Sequence, residues 1–488
     1  MRTLGNLSFD NTYSRLPDTF FQRVEPTSVP SPYLIAFNLD AARLLDLDPA
    51  EATKPSFVAA FAGNARLPGS EPVAMKYAGH QFGSYVPQLG DGRAILLGEV
   101  RNGAGEKWDL HLKGGGRTPF SRFGDGRAVL RSSIREYLAC EAMHGLGIPT
   151  TRALCLVGTD LEVQRETPET GALIVRMAPS HVRFGSFEVF AHRGQTDEVK
   201  ILADYVIEQS FPHLQLAEDK YAAFLREVVA RTARLVAHWQ AVGFAHGVLN
   251  TDNMSILGLT LDYGPYGFME DFEPGFVCNH SDETGRYAFD QQPRIGYWNL
   301  AALAQALLSL IALDDAKAAL NTFPEVFNAR MNEFMVAKLG LMTAGEGDQE
   351  LWTNVLDGLA AARVDYTLFF RLLGEFSTTN GADNSGLRRL FDDPKAFDAW
   401  AERYRERLAS ERSDDGERRE RMNRVNPKFI LRNYLAQIAI DKAQKKDFSE
   451  VDRLRGVLRL PFDEQPEMEH YAKPAPEWGK RLVVSCSS

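Results

Sequence analysis

Apolar and polar positions follow two regimes along the chain. From about residue 72 to 178 they alternate over short runs. "RAILLGEV" and "WDLHLKG" flank the turn "RNGAGEK", which predicts a β-hairpin, and "LEVQRE" and "ALIVRM" flank "TPETG", which predicts a second. Between them "SSIREYLACEAMHGLG" repeats apolar residues at helical spacing and stops at glycine. The expectation is a small sheet of five strands with one helix. Beyond about 178 the period becomes helical. Tyr221, Leu225, Val228, Thr232, Leu235, Trp239 and Val242 form one stripe, the mark of a helix with a buried face. "LAALAQALLSLIAL" predicts another helix, and helical patterns continue to about 445.

The remaining segments are less regular. Residues 1–70 are dotted with proline and carry one helical piece, "NLDAARLLDLD". "SERSDDGERRERMNRVNP" is charged on every side and reads as a solvated helix face or loop. The tail "AKPAPEWGKRLVVSCSS" is broken by proline and reads as extended. The expected division is an extension over 1–70 that packs on two lobes, a β-rich lobe over 71–178, a mostly helical lobe over 179–445, and a tail over 446–488.

Composition narrows the function classes. At 488 residues, 44% hydrophobic and 25% charged, the chain has the make-up of a soluble globular protein with a large core. A net charge of -10 repels polyanions, so neither nucleic acid nor an acidic membrane surface is an expected partner. No run approaches the ~20 apolar residues of a membrane helix. The start, "MRTLGNLSFDNTYSRLP", lacks the apolar core of a secretory signal. Four cysteines without a CxxC pair fit a cytoplasmic protein and argue against a structural zinc site.

Candidate chemistry begins in the strand "WDLHLKG". Alternation puts Trp108, Leu110 and Leu112 on one face and Asp109, His111 and Lys113 on the other. A β-rich lobe with one helix, followed by a helical lobe, is the element order of a protein kinase, and there this strand's lysine contacts phosphates. Taken alone, Lys113 reads as an edge lysine snorkelling to solvent. Glu136 has two readings. It is either the helix carboxylate that pairs with Lys113, or the closing residue of a capping box opened by Ser133 in "SIRE". Gly90, Gly92 and Arg93 occupy a turn where a kinase carries GxGxxG, but the motif is incomplete and holds Asp91. After Lys113 comes "GGGRTPFSRFGDGR", in which glycines free the backbone to approach an anion and Arg117, Arg122 and Arg127 add charge. Its alternative is a flexible surface insertion. Arg176 ends the second hairpin and Arg183 follows, so positive charge gathers around and after Lys113.

"FAHGVLNTDNMSILGLTLDYGPYGF", residues 244–268, joins what a kinase would carry as its catalytic and metal loops. Asn253 and Asp262 supply hard oxygen ligands suited to Mg²⁺; a plain turn aspartate is the other reading of Asp262. The kinase base position falls on Val248, which takes no proton. Asp252, beside Asn253, is the carboxylate placed to accept a hydroxyl proton, or else a cap or metal ligand. His246 reads as structural. On spacing alone, Cys278 and Cys486 are two unrelated thiols.

Assembled, these segments resemble the selenoprotein O family nearly end to end. The resemblance rests on "YAGHQFGSYVPQLGDGRA", "LHLKGGGRTPFSRFGDGRAVLRSSIREYL", "HGVLNTDNMSILGLTLDYGPYGFM" and the terminal "CSS". Cys486 takes the place that selenocysteine has in some members. The resemblance implies an α+β, protein-kinase-like bilobal fold and an active enzyme. ATP binds in flipped orientation, and AMP, or UMP from UTP, passes to Ser, Thr or Tyr hydroxyls of proteins with release of pyrophosphate. It implies nucleotide or phosphate contacts at Gly90, Gly92, Arg93, Lys113, Asp125, Gly126, Arg176, Arg183 and Asp262. It further implies a base at Asp252, Mg²⁺ or Mn²⁺ at Asn253 and Asp262, and Glu136 as the lysine's partner. For some members it implies a regulatory disulfide, matched here by Cys278 and Cys486. A monomer is expected. A kinase transferring the γ-phosphate is the alternative, and a nucleotide-binding scaffold without catalysis is a third class.

Overall fold

The structure, a computed structural model, describes residues 1–379 and 381–484. The alternating segments form β1 (Phe21–Arg23), β2 (Tyr33–Phe37), β3 (Val73–Met75), β4 (Gly79–Gln81), β5 (Ser84–Val86), β6 (Ala94–Arg101), β7 (Lys107–Lys113), β8 (Ala128–Val129), β9 (Arg152–Gln164) and β10 (Pro168–Ala178). The main sheet runs β1-β3-β6-β7-β10-β9-β2, with β8 also paired to β10; β4 and β5 form a separate hairpin. Both expected hairpins are present, registered Arg101↔Lys107 and Gln164↔Pro168 at their turns. The sheet exceeds the expected five strands because the first 70 residues contribute β1 and β2 and because the short β8 pairs with β10. The run "YLIAF" of β2 is only five residues long, in proline-rich surroundings, and gains its regularity from the exposed edge of β9.

The sheet is covered on both faces. On one face Leu110, Leu112, Val157 and Val175 pack with residues of α1 (Leu39–Arg43) and α2 (Pro55–Phe61), among them Ala41, Phe57 and Phe61. On the other lies α3 (Leu130–Gly145), whose Ile134, Leu138 and Ala142 join the largest core. Each fully buried aliphatic side chain contributes roughly 1.5–3 kcal/mol, so these layers fix where β7 and β10 present their polar faces. The helix begins at Leu130, directly after β8, and not at Ser133. Ser133 is therefore inside the first turn, and the capping-box reading of Glu136 is set aside.

The rest is largely helical. α4 (Phe184–Ala191) and α5 (Thr196–Ser210) lead to α6 (Lys220–Val242), whose Leu225, Val228, Thr232, Leu235 and Trp239 are buried as the stripe predicts. Gly243 ends α6 at φ +69, in the left-handed conformation that suits glycine. α7 (Gln292–Ala306) starts earlier than "LAALAQALLSLIAL" and covers only its first half. α8 (Leu313–Asn321), α9 (Phe323–Lys338) and, among the described residues, eight further α-helices follow. The charged stretch near 410–427 carries a helix, Asp415–Asn423, that is mostly solvated; Arg418 and Met422 are the exceptions, both fully buried, with Arg418 donating to the Phe376 carbonyl. The whole is an α+β structure, β-rich in its N-terminal region and largely helical beyond. Among the described residues no helix is long and apolar enough to cross a membrane.

Candidate active site

Two neighbouring strands aim their polar side chains at one cleft. β7 contributes Asp109, His111 and Lys113, and β10 contributes Arg176, paired in register with His111. Lys113 Nζ lies 2.5 Å from Glu136 Oε2 on α3, so the pairing expected from the sequence is made. The other carboxylate oxygen of Glu136 accepts from Arg176 Nη1 at 3.1 Å. Arg176 Nη1 is also 2.5 Å from Asp262 Oδ1, and its Nη2 donates to His111 Nδ1 at 2.7 Å. Arginine only donates, so His111 Nδ1 must be an acceptor and its proton sits on Nε2, which donates to Asp91 Oδ2 at 3.0 Å. Burial drives His111 down to about 4, which keeps that neutral tautomer at physiological pH.

The loop over residues 244–268 is closed by a two-residue ladder, β11 (Phe244–Ala245) with β12 (Gly267–Phe268). Inside it, His246 Nε2 donates to the Leu261 carbonyl at 2.9 Å, a structural role as expected. Arg183, just before α4, joins the loop's two halves. One Nη1 donates to the Asp252 carbonyl at 2.7 Å and to the Asp262 carboxylate. Its guanidinium also lies over the Tyr77 ring, 4.5 Å from the centroid. Asp262 takes φ +58, a left-handed conformation uncommon outside glycine but tolerated by aspartate.

Charge is unevenly shared among these groups. Burial opposes ionisation of Asp262, but Arg183, Arg176 and Lys113 outweigh it and hold the carboxyl well below the usual range. Lys113 is pushed down by burial and by Arg93 and Arg176, with Glu136 opposing. Three buried cations thus share two carboxylates as direct partners, and Arg176 Nε has no partner among the described residues. Phosphate oxygens are alternative partners for these buried guanidinium and ammonium groups, whose donors the two carboxylates do not exhaust.

Asp252 is the contrasting carboxylate. Its Oδ2 accepts from Gln81 Nε2 on β4 at 3.0 Å, and its Oδ1 is buried without a partner. Burial raises it to about 7, against the pull of Gln81 and Arg183. β4 comes this close only because residue 79 is glycine: a Cβ there would lie 2.8–2.9 Å from Asp252 side-chain and backbone atoms. Asn253 spends its amide nitrogen on the Val248 carbonyl at 3.0 Å, which leaves the carboxamide oxygen as its ligand end.

The glycine-rich segments are less open than their composition suggests. A Cβ on Gly90, which has φ +106, would fall 2.6 Å from the Phe120 ring, and one on Gly92 would fall 2.9 Å from the Phe120 carbonyl. The turn thus holds the 114–127 loop. Asp91 faces inward, accepting from Met75 N and His111 at 3.0 Å each, which explains an acidic residue in a glycine turn. The Arg93 carbonyl accepts from Gly114 N at 2.7 Å, so Arg93 stands beside the end of β7. Asp125 is ion-paired with Arg165 at 2.9 Å and also accepts from Arg127 N, and Gly126 packs on Gly116 with no room for a side chain. The loop is tethered, not a loose insertion.

The structure therefore gathers Lys113, Glu136, Arg176, Arg183, Asp252 and Asp262 at one place, with Asn253 beside Asp252 and the Gly90–Arg93 turn adjoining. Asp125 and Gly126 lie in the closing turn of the loop. Cys278 is buried near Gly247, with Sγ 3.5 Å from the Ala245 carbonyl. Cys486 lies outside the described residues. Sequence reasoning did not assign Gln81, His111 or Asp91 as site builders, because their partners are distant in sequence. Alternation does put His111 on the face of Lys113, and the Gly90–Arg93 turn does hold Asp91, whereas Gln81 shows only within "GHQFG", carried inside a longer resemblance.

Buried guanidinium and ammonium groups around a metal-type carboxylate, beside a second carboxylate poised near neutrality, define a class: transferases acting on phosphate-bearing substrates. Comparison with known proteins narrows the class. The model of the family described as protein adenylyltransferase SelO matches residues 3–459. The chain is 62% identical over 488 residues to the protein nucleotidyltransferase YdiU of Myxococcus xanthus, covering 100% of both chains. Identity is 57% with the protein of that name from Thiobacillus denitrificans and 58% with that from Thioalkalivibrio sulfidiphilus, again covering 100% of each chain. The chain belongs to the SelO family of protein adenylyltransferases, and its reaction is nucleotidyl transfer.

Proposed function

We propose that the chain transfers AMP from ATP, or UMP from UTP, to Ser, Thr or Tyr hydroxyls of proteins. The observation that carries this reading is Asp252, a buried carboxylate near pKa 7 whose backbone is tied through Arg183 to Asp262. Asp252 accepts the proton of the attacking hydroxyl. The new bond forms between that oxygen and the α-phosphorus, and the bond to pyrophosphate breaks. Lys113, Arg176 and Arg183 hold the departing pyrophosphate.

Asn253 and Asp262 fit a Mg²⁺ or Mn²⁺ ion, one offering a carboxamide oxygen and the other a carboxylate kept ionised by its surroundings. When bound, the ion supplies charge neutralisation on the phosphates. The two guanidiniums that now hold Asp262 have phosphate oxygens as alternative partners. Flipped ATP is supported by where the charge lies. The cations are deep, at Lys113, Arg176 and Arg183, whereas the Gly90–Gly92 turn is packed against Phe120 and is not an open phosphate lid. A protein-kinase-like fold is supported by the element order and by the Lys113–Glu136 pair between strand and helix.

A Cys278–Cys486 disulfide belongs to the same proposal. The last described residue, Val484, accepts from His280 N at 3.3 Å, two positions from Cys278. Mass mapping of acceptor proteins after incubation with ATP tests the main reading. Nucleotide adducts on hydroxyl side chains are expected, and phosphate adducts alone would overturn it in favour of a kinase.

A further inference from the structure

A second group of donors lies apart from Asn253 and Asp262. His80 on β4 meets Glu188 of α4 and His192 just beyond it, and one ligand atom from each lies within 4.8 Å of the others. His80 Nδ1 is 2.5 Å from Glu188 Oε2. Glu188 is fully buried, yet its Oε1 has no hydrogen-bond partner. A buried carboxylate oxygen left this way, with the Thr251 hydroxyl as the neutral donor beside the carboxyl, leaves a place for a cation. Glu188 and His192 are spaced i,i+4, which puts both on one face of the helix end. His192 stacks on Tyr85 of β5 at 3.8 Å between centroids and is solvent-exposed, so the cluster opens to water on that side.

The donor chemistry selects the ion. Two imidazoles and one carboxylate, with an open fourth position, suit borderline transition ions such as Zn²⁺ or Co²⁺. Mg²⁺ prefers oxygen ligands throughout and is not the expected occupant. The four cysteines, which argued against a structural zinc site, are not involved; these donors come from segments far apart in the chain.

We propose that His80, Glu188 and His192 form a second metal site, which takes a borderline divalent transition ion and ties the β4–β5 hairpin to α4. The hairpin is the element that reaches the base. His80 N donates to Thr251 Oγ1 at 2.7 Å, and the next residue, Gln81, holds Asp252. An ion here therefore positions the base without touching substrate. That consequence rests on the role given to Asp252, whereas ion binding itself does not.

The test uses full-length chelator-treated protein carrying Asp262→Asn, which disables the other metal site, confirmed as folded by circular dichroism at the titration temperature. Co²⁺ is titrated and followed by its ligand-field absorption, then displaced by Zn²⁺. The expected result is saturable binding of a single Co²⁺ per chain, weakened about tenfold or more by adding His192→Ala. His192 is exposed, so its removal leaves the core intact. Glu188→Gln, checked for folding by circular dichroism, should weaken binding likewise. Absence of Co²⁺ binding to Asp262→Asn, or binding that His192→Ala weakens less than that, overturns the proposal. The readout is stoichiometry and affinity, so a failure of the nucleotidyl-transfer reading would show elsewhere, in adduct mapping.

Discussion

Two aspartates ten positions apart behave in opposite ways, and their surroundings explain it. Asp262 has guanidinium partners on both oxygens, whereas Asp252 has one amide and a bare oxygen. With Asp252 near 7, transfer should rise with pH through about 7 as the base ionises, and a pH–rate profile reads this directly. Gln81 pulls that value down, so Gln81→Ala should move the rising limb to higher pH while the protein stays folded. Linkage adds a stability prediction. A carboxyl raised from 3.8 to about 7 favours the folded state below the unfolded value and loses that advantage as pH rises through the folded one. Above about pH 8, Asp252→Asn should therefore raise the melting temperature, by up to about 4 kcal/mol of stability, while lowering transfer roughly 10²–10⁴-fold. Near pH 5 the gain should fall to about 1.6 kcal/mol, because Asp252 is protonated there in the folded state but ionised in the unfolded one, and it should vanish below about pH 4. At this scale the sequence was legible where chemistry is local. Asn253 and Asp262 share one loop, and Lys113 follows from strand alternation. Gln81 and the Asp91–His111 pair were not legible, since each meets its partner only through tertiary contact.

Elements explain why those residues meet. The β11–β12 ladder pins the ends of the 244–268 loop, and Arg183 pins its middle. β4 then closes over Asp252 through the absent side chain of Gly79. Gly79→Ala should displace the base. The expected cost is about 1–3 kcal/mol of overpacking and at least a tenfold fall in kcat with a smaller change in KM, measured by denaturant unfolding and steady-state kinetics. Element types were readable from period alone, as α6 and both hairpins show. Boundaries were less so. "SIRE" looks like a helix start, but β8 pairs with β10 and carries the chain into α3 three residues earlier. β1 and β2 escaped because runs of three and five residues have no periodicity of their own; the sheet edges they join supply it.

The whole molecule separates overall charge from local charge. The chain carries -10, yet its cleft buries a lysine and two arginines. Composition therefore spoke against polyanion partners while saying nothing about a small phosphate-bearing ligand. The same arrangement makes the cleft a reservoir of instability. Asp262→Ala removes the direct anionic partner shared by Arg176 and Arg183, and should cost about 3–5 kcal/mol without nucleotide, a deficit that added ATP only partly restores in thermal melts. The central claim is that the α-phosphorus, not the γ, is the reacting centre. The most direct test incubates the protein and an acceptor with ATP labelled at either phosphate. Label should reach protein hydroxyls from the α position, with pyrophosphate released in equal amount. Label arriving from the γ position, with none from the α, would contradict the account.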